Sequence, residues 1–105
     1  MEITVKELSD RLASGEDVFL LDVREPYERE IVDIGGTLIP MRALPDRLAE
    51  LEPHRKEQVV VYCRSGARSG RVVKWLRTVG FDDAVNLKGG VMAWREQIDP
   101  SLPTY

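Results

Sequence analysis

Cys63 is the only cysteine among 105 residues. It follows the apolar run Val59-Val60-Val61-Tyr62 and opens the segment Arg64-Ser65-Gly66-Ala67-Arg68-Ser69. A thiol attacks as its thiolate. At the ordinary cysteine pKa of about 8.5, little thiolate exists near neutrality. Three features of this segment lower that value. Arg64 and Arg68 place two permanent positive charges beside the sulfur. A helix predicted from Ser69 directs its positive dipole end at the loop. Gly66, with small Ser65 and Ala67, lets successive N–H groups turn inward as an anion-binding nest. Ser69 suits the helix cap. No acidic residue lies between Cys63 and Gly80, so the segment itself repels no anion. A lone cysteine by itself reads as core filler; two arginines, a glycine and a following helix argue for a nucleophile. Arg71, Lys74 and Arg77 read as a solvated helix face.

The positioning elements follow from pattern. Val59 to Tyr62 is the strongest strand, and Val18-Phe19-Leu20-Leu21 is a second continuous apolar run before Asp22. Ile3-Thr4-Val5, Thr37-Leu38-Ile39 and Ala84-Val85-Asn86-Leu87 are shorter strand candidates. Helical spacing covers Lys6 to Ser14, Pro26 to Ile31, Ser69 to Val79 and Val91 to Ile98. Leu44, Leu48 and Leu51 line one face of a further helix ending near Pro53. Gly35-Gly36 and Gly89-Gly90 are turns. Alternating strands and helices predict an α/β fold, a mostly parallel sheet of about five strands with helices on both faces. In such sheets ligands sit beyond the carboxyl ends of the strands, which is where Cys63 stands.

Length predicts one domain over residues 1–105. With 43% hydrophobic and 31% charged residues the composition is that of a globular protein. The net charge of −3 supplies no basic surface for nucleic acid. No apolar stretch approaches the roughly 20 residues needed to cross a bilayer. The N-terminus lacks the pattern of a secretion signal, so a cytoplasmic location is expected. One cysteine can form neither an internal disulfide nor a thiolate-rich metal site.

Three motifs in order carry a resemblance over essentially the whole chain: Leu20-Leu21-Asp22-Val23-Arg24-Glu25-Pro26-Tyr27-Glu28, then Val60 to Ser69, then Gly80-Phe81 leading to Asn86-Leu87-Lys88-Gly89-Gly90-Val91-Met92-Ala93-Trp94. The chain resembles the single-domain rhodaneses, the thiosulfate sulfurtransferase family. Its ending, Ile98 to Tyr105, resembles the tail of rhodanese modules fused to enzymes that activate small ubiquitin-like sulfur carriers.

The resemblance implies a two-step covalent reaction. Cys63 would take the outer sulfur of a donor such as thiosulfate as a persulfide. Cyanide or a thiol, on a thioredoxin-like or sulfur-carrier protein or on glutathione, would remove it. Amides from Arg64 to Ser69 would stabilise the charge, with Arg64 and Arg68 holding the anion. No metal or organic cofactor is implied. The alternatives are a related cysteine phosphatase or arsenate reductase, and a non-catalytic interaction module. Related cell-cycle phosphatases carry arginine six positions after cysteine; here Arg68 comes at five and Ser69 at six. Non-catalytic modules of the family often lack the cysteine.

Asp22 and Arg24 belong to the framework or the pocket rim, and read as a structural ion pair. Trp75 and Trp94 read as packing residues. The chain departs from the family at Asp33, Gly35 and Thr37, where histidine, proline and alanine are usual. His54, the only histidine, is expected in solvent and not as a base.

Overall fold

The computed structural model describes residues 1–105. Five strands form one parallel sheet in the order β1-β5-β4-β2-β3: β1 (Glu2–Ile3), β2 (Phe19–Asp22), β3 (Thr37–Leu38), β4 (Val59–Tyr62) and β5 (Ala84–Leu87). The helices are α1 (Val5–Ala13), α2 (Pro26–Ile31), α3 (Leu44–Arg47), α4 (Ala67–Thr78) and α5 (Gly90–Gln97). No helix is long and apolar enough to cross a membrane.

The pleat sorts the central strand between two cores. Val59, Val61 and Cys63 join Leu21, Leu44, Leu51, Val72, Val73, Leu76 and Phe81 on one face of the sheet. Val60 and Tyr62 join Leu20, Val5, Leu8, Val85, Leu87 and Val91 on the other. Cys63 therefore leaves β4 on the α4 side. All four β4 residues are buried, which explains why their sequence does not alternate.

Some boundaries differ from the sequence reading for local reasons. Thr4 closes a capping box with Glu7, which ends β1 at Ile3 and makes Val5 the first helical residue. The Leu44–Leu51 stripe is not one helix. It runs as a 3₁₀ turn (Met41–Ala43), α3 and a second 3₁₀ stretch (Leu48–His54). Pro45 stands in the first turn of α3, where proline is tolerated, while Pro53 lies inside the second 3₁₀ stretch and cannot donate the α-helical bond there. Leu44 and Leu51 still reach the core. Trp75 and Trp94 pack against the two cores. His54 is half-buried, stacked on Phe19 with ring centroids 3.7 Å apart, because the neighbouring strand offers it an aromatic face.

Candidate active site

Two elements hold the cysteine loop. Helix α4 starts at Ala67, earlier than its apolar stripe suggests, with Gly66 before it at φ 101°. Its first-turn N–H groups have no helical acceptor. Those of Gly66 and Ser69 point to Cys63 Sγ, at 3.1 and 3.4 Å. On the other side, α5 receives the loop's carbonyls. Val91 N–H donates to the Cys63 carbonyl and Met92 N–H to that of Arg64, each at 3.0 Å. Gly90 lies against these carbonyls at φ 54°, where a Cβ would collide with them. With its carbonyls drawn outward, the loop turns its amides toward the sulfur.

Cys63 is 1% exposed. Burial pushes its thiol up, but the Ser69 hydroxyl and the N–H groups of Ser69, Gly66 and Ser65 together pull it below the ordinary value. The hydroxyl lies 3.2 Å from Sγ. Ser69 is therefore not the helix cap expected from sequence. It is the third residue of α4, fully buried, and its hydroxyl turns to the sulfur and not to the backbone. Its one proton can go instead to Asn86 Oδ1, 2.6 Å away, and Asn86 Nδ2 donates to the Gly66 carbonyl at 3.0 Å.

The arginines are engaged differently. Arg68 makes a two-pronged ion pair with Glu28 of α2, at 2.7 and 2.8 Å. Glu28 is held down to about 2 by the Arg68 hydrogen bonds, against burial and with help from the Glu25 N–H. The acidic partner absent from the loop's own sequence thus arrives from α2. Arg64 lies over the Tyr105 ring, 5.3 Å from its centroid. A cavity of about 190 Å³ opens beside Arg64, walled by Val91, Met92, Arg95 and Tyr105. Ser65 and Ala67 are exposed at the loop's outer edge.

Asp22 and Arg24 are both fully buried and form a two-pronged pair at 3.0 Å. Arg24 also donates to the Val32 carbonyl at 2.7 Å and to Tyr105 Oη at 2.9 Å. Tyr105 Oη donates to Glu28 Oε1 at 3.1 Å. One chain of contacts therefore runs from Asp22 through Arg24, Tyr105 and Glu28 to Arg68. At the departures from the family pattern, Asp33 accepts from Gly35 N–H at 2.8 Å, and Arg29 binds the Gly35 and Gly36 carbonyls at 3.0 Å. Tyr62 Oη donates to the Gly35 carbonyl at 2.6 Å.

Cys63, Gly66 and Ser69 thus converge on the sulfur, while Arg64 and Arg68 flank the loop with their own partners. Sequence reasoning passed over Asn86, Glu28 and Tyr105. Asn86 carried a signal, being the one polar residue in the apolar run Ala84–Leu87. Glu28 and Tyr105 fell within the resembling segments, but nothing in the sequence showed their contacts, since their partners are remote in the chain. No group of three or more His, Cys, Asp or Glu side chains is arranged to hold a metal ion.

A model of the rhodanese-like domain family matches residues 4–97. A sulfurtransferase of Allochromatium vinosum is 44% identical over 94 residues, covering 89% of this chain and 86% of that protein. The probable adenylyltransferase/sulfurtransferase MoeZ of Mycobacterium tuberculosis is 42% identical over 106 residues, 98% of this chain; the match spans 26% of that longer protein. In three dimensions a rhodanese-like domain protein from Staphylococcus aureus superposes with a TM-score of 0.82 at 34% identity, covering 100% of this chain and 99% of that one. Fold, motif order and sequence agree: the chain belongs to the rhodanese-like domain family, in the company of sulfurtransferases.

Proposed function

We propose that the chain, acting as a single domain, is a sulfurtransferase that carries sulfane sulfur on Cys63. The observation that carries this reading is the convergence of the Gly66 and Ser69 N–H groups on Cys63 Sγ. The Cys63 thiolate attacks the outer sulfur of thiosulfate or a similar donor. A Cys63–sulfur bond forms, the donor's sulfur–sulfur bond breaks, and sulfite leaves with the electron pair. The outer sulfur of the persulfide then carries the negative charge, which the loop amides stabilise. An acceptor thiolate or cyanide attacks that sulfur and releases Cys63 as thiolate. The second thiol comes from another molecule, because this chain has one cysteine. Arg64, beside the open cavity, assists the donor anion, and Arg68 supplies charge from behind its pair with Glu28. The sulfurtransferase relatives support sulfur transfer as the reaction; the acceptor in this reading is a thiol, on a sulfur-carrier or thioredoxin-like protein or on glutathione.

Mass spectrometry after thiosulfate treatment tests this. One added sulfur is expected on the wild type and none on Cys63→Ser. A wild type left unmodified by every sulfane donor tried, across pH, would overturn the reading.

A further inference from the structure

Ser69 has one hydroxyl proton and two neighbours that can accept it. Asn86 Oδ1 lies 2.6 Å away and Cys63 Sγ 3.2 Å away. The orientation of the Asn86 amide is not free. Its Nδ2 must point at the Gly66 carbonyl, 3.0 Å away, because a carbonyl can only accept. Oδ1 is therefore the atom presented to Ser69. While the proton lies on that bond, Ser69 turns a lone pair toward sulfur. That suits a thiol, whose S–H can donate to it, and opposes a thiolate.

We propose that Asn86 is a positioning residue that competes with Cys63 for the Ser69 hydroxyl proton and so restrains ionisation of the resting thiol. Forming the thiolate requires the hydroxyl to rotate to Sγ and give up Asn86 Oδ1. Forming the persulfide moves the charge to the outer sulfur, and the hydroxyl can return to Asn86. The bond therefore favours the sulfur-loaded state over the empty thiolate. This last consequence rests on the proposed sulfur transfer; the competition itself does not.

Other charges surround the loop. Arg64 and Arg68 lie in it and on α4, Glu28 on α2, the Asp22–Arg24 pair at the end of β2 and just beyond it, Tyr105 in the tail, and Arg95 and Glu96 on α5 beside the Arg64 cavity. Strand β5 offers no titratable side chain. All of these stay constant in a double-mutant cycle between Asn86 and Ser69, which isolates the pairwise effect.

The experiment titrates the ultraviolet absorbance of the Cys63 thiolate in wild type, Asn86→Ala, Ser69→Ala and the double variant. Asn86→Ala should raise the thiolate fraction below the midpoint about fivefold, the scale of one neutral hydrogen bond. In the Ser69→Ala background the same substitution should leave that fraction unchanged. An equal change in both backgrounds, no change in either, or a fall with Ser69 present overturns the proposal. Asn86→Leu, which keeps side-chain bulk without an acceptor, serves if Asn86→Ala does not fold. The titration detects ionisation and not sulfur. A protein that behaves as expected here yet accepts no sulfur from any donor would retain this inference and lose the proposed function.

Discussion

Arg68 and Glu28 are joined in a parallel, two-pronged ion pair although 40 residues separate them in the chain. The pair ties the cysteine loop's helix to α2, and it has consequences for stability and for donor binding.

The first concerns acid. Glu28 titrates at about 2 in the fold against an ordinary 4.5, so folding favours its ionised form. Its contribution is complete above 4.5, falls as pH drops through the interval and is gone below about 2. The shift corresponds to on the order of 3 kcal/mol for this nearly buried carboxylate. Glu28→Gln should lower stability at neutral pH and flatten the stability–pH curve across that interval. Urea midpoints measured against pH decide it; a curve as steep as that of wild type would locate the acid sensitivity elsewhere.

The second concerns the donor. Arg68→Ala leaves Glu28 buried without its cation, beside the loop that must take an anion. Donor KM should rise about tenfold or more, the effect of one charge-assisted bond. Adding Glu28→Gln should recover part of it. Arg68→Lys should restore little, because an ammonium cannot reproduce the two-pronged contact. Steady-state kinetics with thiosulfate provide the test, and unchanged KM in Arg68→Ala would remove Arg68 from donor binding.

Asp22 and Arg24 form a framework pair with no exposure. Arg24→Ala removes the two-pronged partner of a buried carboxylate, leaving Asp22 only the longer Arg29 contact at 3.3 Å, and takes away the guanidinium donor to the Val32 carbonyl. A loss of about 3–5 kcal/mol is expected by denaturant unfolding. A loss under about 1 kcal/mol would mean that water replaces the guanidinium without cost.

At Gly90 the expected effect is on chemistry as well as stability. A Cβ there would stand 2.7 Å from the Arg64 carbonyl oxygen and press on that of Cys63, at a φ that side chains rarely adopt. Gly90→Ala should cost about 1–3 kcal/mol and slow persulfide formation at least tenfold, roughly 1.4 kcal/mol on the barrier. Gly15→Ala is the control, since it has positive φ but open surroundings far from the loop. It should cost only about 1 kcal/mol and leave the rate alone.

Cys63 itself should ionise below the ordinary thiol range, since its hydrogen bonds outweigh burial. The rate of alkylation by iodoacetamide, plotted against pH, should have its midpoint under that of a free cysteine. A midpoint at or above it would show that burial wins.

The parts of this protein that sequence revealed are those written in local pattern. The Val59–Tyr62 run, the turn at Gly66 and the apolar stripe of α4 placed the cysteine at a strand end before a helix. The structure has that arrangement, within a parallel five-strand sheet. What sequence hid depends on contacts between distant segments. Glu28 neutralises Arg68 from another helix, and Tyr105 bridges Arg24 and Glu28 from the tail. Ser69 misled for a related reason. Its type suits a helix cap, yet the helix begins before it, and its hydroxyl is directed to sulfur and Asn86. The Leu44–Leu51 stripe correctly marked a core face, although the chain runs there as short α and 3₁₀ pieces, with Pro53 inside the last.

The bonding of the loop carbonyls has a consequence for selectivity. Those of Cys63 and Arg64 are taken by α5, and that of Gly66 by Asn86 and by Gly70 N–H. A visitor to the sulfur therefore meets hydrogen-bond donors and finds these acceptors already occupied. The backbone then acts as a filter on protonation state: a small molecule is met by donors that suit it best once it has shed its own proton. Before any side chain contributes, the arrangement favours an anion over its conjugate acid, and over neutral molecules of the same shape.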